Sequence, residues 1–487
     1  MKKRLITSIL TLVLVLSLCA CNGGKDSGTS KGIIKDDESK HVNLVWFIRS
    51  SEPAGFKEVM EKANEYLGEK LNITLDLRCI EPGDYDSKVQ LAAASGDECD
   101  IIWTSQWANN YESNVSKNAF LAIEDYLDLP ELAAMKAHYK DEIWDACKVN
   151  GHIYGVPIEQ VLHVQKGMWF KKDICDKYGI DPYTQIKSTD DLDEVYKTVR
   201  SGEPDSLLIA IGGQRINETQ KQEVAAGWCM NDDGTLTDRN DEKDFGLDWC
   251  KRMRKWYQSG FFPADIATFE NETEYSRAGR LFSRYDRYMA GSEEKCNMAY
   301  GYKLCQIPIS DRIISRLSVQ STVSAISYNC KNPLRALKLV QLVHEDEYIL
   351  NLLCYGIEGR DFTKDPNNPH RMNRSPDNYR IAEYLIGSQF LAYLAPEYSD
   401  GVWEQTKEEN DTAKVDPNIA FAFNRKPVET EIANCSSVTQ EYKGLETGLY
   451  EDYEAVFAEK QEKLKKAGSE IVKEEIERQY KEWKDAQ

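Results

Sequence analysis

The chain has 487 residues, with 81 acidic against 61 basic side chains and a formal charge of −20. That balance excludes a nucleic-acid binder or a protein that adsorbs broadly to anionic lipid. The length exceeds what one hydrophobic core sustains, so two lobes are expected.

In chain order, Lys2, Lys3 and Arg4 precede an apolar run from Leu5 to Leu18. The run is shorter than the ~20 residues a membrane-spanning helix needs, and reads as a signal peptide over residues 1–20. Leu18-Cys19-Ala20-Cys21 has the arrangement of a lipoprotein cleavage site. Lipidation of Cys21 would tether a body outside the cytoplasm to the bacterial membrane through that anchor alone. The Gly- and Ser-rich stretch that follows gives residues 21–41 the character of a flexible tether.

Val42 to Ile48 is mostly apolar, as in a strand covered on both faces. Phe56, Val59, Met60, Ala63, Leu67 and Leu71 form the stripe of an amphipathic helix. Ile73, Leu75 and Leu77 predict a strand, Tyr85 to Ser95 a helix and Asp100 to Trp103 another buried strand. This alternation is the signature of a parallel α/β sheet, whose ligands gather at the carboxyl ends of the strands. Beyond Pro157 a new α/β stretch begins, with a strand at Met168–Phe170 and a helix over Asp190–Arg200. Asp233-Gly234 predicts a hairpin turn and Phe245–Trp256 a helix. Ser321–Ser327 is β-like; Asn332 is placed to cap a helix that Pro333 opens. Asp365–Pro369 reads as loop, and Val472, Ile476, Tyr480 and Trp483 mark a docked C-terminal helix.

Cys19 and Cys21 apart, the cysteines are odd in number and irregularly spaced, without a C-x-x-C pair, which favours buried thiols over a disulfide framework. No zinc-type cluster, Walker loop, nucleophile elbow or G-x-G-x-x-G occurs. The Asn231–Gly234 turn is not a calcium loop, since Cys229 and Asn240 stand where ligating carboxylates belong. No cofactor or metal is expected.

Several segments carry a resemblance. Ser95-Gly-Asp-Glu-Cys-Asp-Ile-Ile-Trp-Thr-Ser-Gln-Trp107, Trp144 to Pro157, Ala325 to Lys338, Leu353-Cys-Tyr-Gly-Ile-Glu-Gly359 and the C-terminal helix together resemble family 1 extracellular solute-binding proteins. These are the lipoprotein components of carbohydrate-type ABC importers, and the likeness is to the larger Firmicutes subgroup. Ile386-Gly-Ser-Gln-Phe390 departs from the subgroup's Phe-Gly-Asn-Gln-Phe. The resemblance implies an α/β, two-lobed periplasmic-binding-protein-like (type II) fold with hinge crossings and an interlobe cleft. It places crossings near Pro157, near Gln320 and beyond Gly359. The first lobe would comprise residues 42–156 and 321–361, the second 157–320 and 362–487. The implied function is capture of an oligosaccharide or other small polar solute by a monomer that delivers it to ABC permease subunits. A surface glycoside hydrolase, or an adhesion lipoprotein, is the alternative.

A sugar site needs aromatic platforms and planar polar side chains, and the 10 Trp and 26 Tyr supply the former. Trp46 and Arg49 end the first strand, and Ser105, Gln106 and Trp107 follow the third, both at the ligand edge of such a sheet. For Trp107 rim packing is the competing role, and for Arg49 pairing with an acid. Glu159, with His163 nearby, follows the first expected hinge; Trp228 belongs to the second lobe. Arg284 opens a basic-aromatic knot with Tyr285, Arg287 and Tyr288. Gln320 and Tyr355 are placed at the cleft by the resemblance alone.

Overall fold

The computed structural model describes residues 32–96, 98–211, 221–242, 245–374 and 379–487. The expected signal peptide and Cys21 lie outside the described residues. Among them no helix is long and apolar enough to cross a membrane. The expected tether ends early: Ile34 N–H donates to the Tyr126 hydroxyl, and Asp36 forms a buried two-point pair with Arg335 at 2.8 and 2.9 Å. A guanidinium matches a carboxylate in this geometry, so the chain is held against the body before Val42.

From Val42 strand and helix alternate: β1 (Val42–Arg49), α1 (Phe56–Leu71), β2 (Ile73–Ile80), α2 (Tyr85–Ser95) and β3 (Ile101–Thr104). β1 runs parallel to both neighbours, with Trp46 opposite Leu77 on β2 and Ile101 on β3. Val59, Met60, Ala63 and Leu67 are the buried face of α1, and Asn72 ends it in the left-handed region that Asn tolerates. β4 (Gly155–Pro157) reaches the same sheet. Gly155 is required there, since a Cβ would sit 2.6 Å from Val323 Cγ1.

The chain then crosses to β5 (Lys166–Lys171). A meander of β6 (Glu223–Ala225), β7 (Trp228–Met230) and β8 (Leu236–Asp238) follows, then α3 (Leu247–Gln258), β9 (Ser283–Arg287) and β10 (Leu304–Pro308). β9 and β10 flank β5, both antiparallel, so this lobe's sheet is antiparallel rather than parallel. Met168, Phe170, Trp249, Trp256, Phe282 and Ile307 belong to its core. β11 (Ile313–Ile314) and α4 (Arg316–Val319) lead back to β12 (Val323–Ile326). β12 inserts antiparallel between β3 and β4, completing the order β2-β1-β3-β12-β4. α5 (Pro333–Glu345) and α6 (Glu347–Tyr355) cover this sheet. Asn332 precedes α5 without a side-chain cap; its carbonyl instead accepts the Ala336 N–H at 3.0 Å.

Two expectations change beyond α6. Residues 365–369 are not simply loop: Phe362–Asp365 pairs with Asn368–Arg374 in a hairpin whose turn is fixed by the Asn367 N–H on Asp365 Oδ1 at 2.7 Å. Phe362, Met372, Tyr379, Ile381, Leu385, Ile386, Ala392 and Tyr393 all lie in the core that holds β1–β3. Packing therefore keeps the chain on the first lobe to about Ala395, past the expected boundary at 361. α7 (Val402–Thr412) and β13 (Lys414–Val415) then cross over, β13 pairing parallel with β11, while Val164 bridges Ile313 from the other side. Three crossing segments thus share one short ladder. α8 (Glu429–Glu441), α9 (Tyr453–Ala467) and α10 (Ser469–Asp485) close the chain. Val472 and Ile476 of α10 bury against Trp228 and Phe421, with Tyr480 and Trp483 alongside.

Candidate functional site: an interlobe cleft

A cleft of about 910 Å³ lies where the two lobes face each other across the crossing ladder. One wall comes from the first lobe: Gln106 and Trp107 after β3, and Ser315, Leu317, Ser318 and Ser321 around α4. Val164, Ile313, Lys414 and Asp416 of the crossing segments form the floor. The opposite wall has Lys166 at the start of β5, Arg287 at the end of β9, and Lys221, Gln222 and Met230–Asp233 of the meander.

Trp107 is the exposed aromatic of the first wall, at 49% exposure. It is nevertheless fixed. Its Nε1–H donates to the Ser321 carbonyl at 2.9 Å, its ring meets Trp103 edge-on at 5.4 Å, and the Arg49 guanidinium lies 5.2 Å from its ring centre. Trp103 is itself fully buried and donates to the Tyr384 carbonyl at 3.0 Å. The loop below is equally determined. Ser105 Oγ accepts the N–H groups of Trp107 and Ala108 and donates to the Ala108 carbonyl, while Gln106 N–H donates to the Gln320 carbonyl at 2.8 Å. An indole held this way presents a flat apolar surface at little ordering cost on binding.

Of the ten candidate residues, Gln106 and Trp107 line the cleft. Arg49 and Ser105 stand directly behind them as supports. Gln320 is buried, its amide donating to the Ala146 carbonyl at 2.8 Å. The other five lie elsewhere. Trp46 is fully buried within β1, and Tyr355 is buried in the same core with its hydroxyl on Glu383. Glu159 joins His138 at 3.0 Å and Ser388, the residue that replaces the subgroup's Asn. Burial would raise the Glu159 carboxyl, but His138 and Ser388 hold it below its ordinary value. Trp228 donates to the Ser469 carbonyl at 2.8 Å and anchors α10. Arg284 is paired with Glu272 at 2.8 Å and with Asp286. His163 is fully buried at the crossing, 3.6 Å from Glu409, and burial lowers its pKa.

The basic-aromatic knot therefore divides. Arg284 and Arg287 are three apart on one strand and point to opposite faces; Arg287, not Arg284, turns into the cleft. Arg287 was singled out only as a member of that knot, and Lys166, Leu317, Lys414 and Asp416 not at all, because nothing local marks residues that meet only in space. The Asn231–Gly234 hairpin was legible as a turn but not as a wall. Asp416 has its carboxyl raised by burial, against the N–H it accepts from Asn418, with nearby Asp232 adding to the rise. Among the described residues no group of three or more His, Cys, Asp or Glu side chains is placed to hold a metal. The eleven described cysteines form no disulfide with one another, and nine of them are buried.

Two α/β lobes joined by crossing segments around a cleft define the periplasmic-binding-protein class of fold. The family profile described as "Bacterial extracellular solute-binding protein" matches residues 49–231, and one described as "Domain of unknown function (DUF3502)" matches 417–485. A carbohydrate ABC transporter substrate-binding protein of Streptococcus pneumoniae serotype 4 is 28% identical, over 99% of this chain and 98% of that one. The crystal structure of the N-glycan transport solute-binding protein NgtS from S. pneumoniae superposes with a TM-score of 0.80 at 24% identity, covering 91% of this chain and 99% of that one. The same protein in complex with Man5GlcNAc gives 0.67 at 25% identity, with coverage of 91% and 98%. The chain thus resembles bacterial extracellular solute-binding proteins, by profile over residues 49–231 and by a relative over nearly its full length.

Proposed function

We propose that this protein captures an oligosaccharide in the interlobe cleft and delivers it to the permease of an ABC importer. The observation that carries the reading is a 910 Å³ cleft with a half-exposed, rigidly held indole on one wall and polar side chains on the other. Trp107 is the stacking platform, Gln106 and the serines around α4 address hydroxyls, and Arg49 and Ser105 keep the platform in place. Stacking on C–H faces supplies affinity, and planar polar groups set specificity. The lobes, divided at 158–165, 309–322 and after Ala395, rotate about the crossing ladder and bury the ligand. The monomer is held at the membrane by a lipid on Cys21, with no other membrane contact. What the S. pneumoniae relatives are named for supports a carbohydrate ligand.

A thermal-shift screen across oligosaccharides, peptides and polyols tests this, because a ligand at concentration [L] stabilises by RT ln(1 + [L]/Kd). Raised melting temperatures are expected with oligosaccharides, each recovered intact by chromatography. Response to peptides alone would remove the carbohydrate assignment. Cleaved sugar would make the protein a hydrolase.

A further inference from the structure

The second wall of the cleft carries an electrostatic feature that sugar hydroxyls alone do not require. Lys166 and Arg287 are direct cross-strand partners on β5 and β9, so their side chains leave the same face of the sheet, and both line the cleft. Like charges directly opposite each other cost stability. In a chain with twenty more acids than bases, such a pair would ordinarily be neutralised by a nearby carboxylate. The nearby acids are engaged elsewhere, Asp416 on the cleft floor by the Asn418 N–H at 2.8 Å. Asp286 pairs with Arg284, Asp232 with Lys414 at 2.5 Å, and Glu242 with Lys221 at 2.6 Å, while Asp233 accepts from Thr235 in its own turn. Lys166 Nζ has only the Tyr285 ring, 5.6 Å away. Arg287 donates through one terminal nitrogen to the carbonyls of Val161 and His163, and its buried Nε has no hydrogen-bond partner. Neither cation has a carboxylate within ion-pairing distance among the described residues.

We propose that the ligand includes an anionic sugar, whose carboxylate or sulfate ester docks between Lys166 and Arg287 while its neighbours stack on Trp107. This rests on the oligosaccharide reading above. An oxyanion would accept from the guanidinium's remaining N–H groups and neutralise the lysine at once. Burial pulls both groups below their ordinary pKa, Lys166 further because of Arg287 with only partial relief from Asp286, and a bound anion would oppose that lowering. The anion would also be drawn into a site that closure shields from salt.

The test is a glycan array of matched forms: sialylated and desialylated, uronate and carboxyl-reduced, sulfated and desulfated. Titration of each bound pair at about 0.02 M and about 0.5 M salt follows. The acidic form of at least one pair is expected to bind about tenfold more tightly at low salt, with the preference shrinking at high salt. The carboxylate and sulfate arms distinguish which oxyanion is recognised. Lys166→Met should remove most of that preference, lowering the acidic form's affinity more than the neutral partner's. Arg287 also holds backbone carbonyls of the crossing, so Arg287→Lys serves as the second variant; should either variant melt early, the wild-type salt dependence decides. Neutral forms binding as tightly as acidic ones would overturn the anionic site and leave oligosaccharide capture standing. An array with no bound glycan at all would remove both.

Discussion

At the scale of single residues, exposure and hydrogen bonding separate side chains that composition cannot. Trp107 and Trp228 are both tryptophans whose Nε1–H donates to a backbone carbonyl, yet one is 49% exposed on a cleft wall and the other 7% exposed in a core. Trp107→Ala should weaken oligosaccharide binding by about 1–3 kcal/mol, measured by calorimetry, with little change in melting temperature. His344 makes a different kind of prediction. It is fully buried, its Nδ1 lies 2.8 Å from the Val340 carbonyl, and burial takes its pKa down to about 4. The unfolded chain binds that proton near the ordinary pH 6.5 and the folded chain does not, so stability is full above pH 6.5 and falls as pH drops towards 4. The loss attributable to this one group is about 2 kcal/mol at pH 5. Melting curves between pH 7 and 5 check it: His344→Met should show a shallower decline than the wild type, and equal declines would remove the assignment.

At the scale of elements, the strands and helices before Pro157 were readable because each carries its own period. The α1 stripe and the short apolar strands β1 and β3 leave no competing register, and the structure reproduces them. Elements defined by long-range packing were not readable. The hairpin at Phe362–Arg374 is rich in Asn, Pro and charge, and only its docking on the first core through Phe362 and Met372 gives it strand character. The site divides in the same way. Gln106 and Trp107 were legible because they follow a parallel strand at its carboxyl end. Lys166, Arg287 and Lys414 come from β5, β9 and β13, far apart in the chain, and meet only in space. Trp46 and Tyr355 show the converse, since a residue near a strand or helix end is still core when its neighbours cover it on both sides. The C-terminal helix supplies the element-scale prediction. Trp228→Ala should detach α10 from the meander and destabilise by about 3–5 kcal/mol. Chemical denaturation measures this, and calorimetry at a temperature where the variant remains folded should find ligand affinity nearly unchanged.

At the scale of the whole molecule, two separate claims combine: where the protein is held and how it moves. Cys21→Ala should shift the protein from the membrane fraction to the medium, or leave it unprocessed. Identical partitioning of the two forms would remove the lipid anchor. Movement bears on the central claim. Three crossings sharing a single ladder of Val164, Ile313–Ile314 and Lys414–Val415 form a narrow junction about which two separate cores can rotate. The decisive measurement is small-angle X-ray scattering with and without the glycan that raises the melting temperature most, at saturating concentration. The account predicts a smaller radius of gyration with the glycan bound and the glycan recovered uncleaved. An unchanged scattering envelope at saturation, or a cleaved glycan, would contradict it.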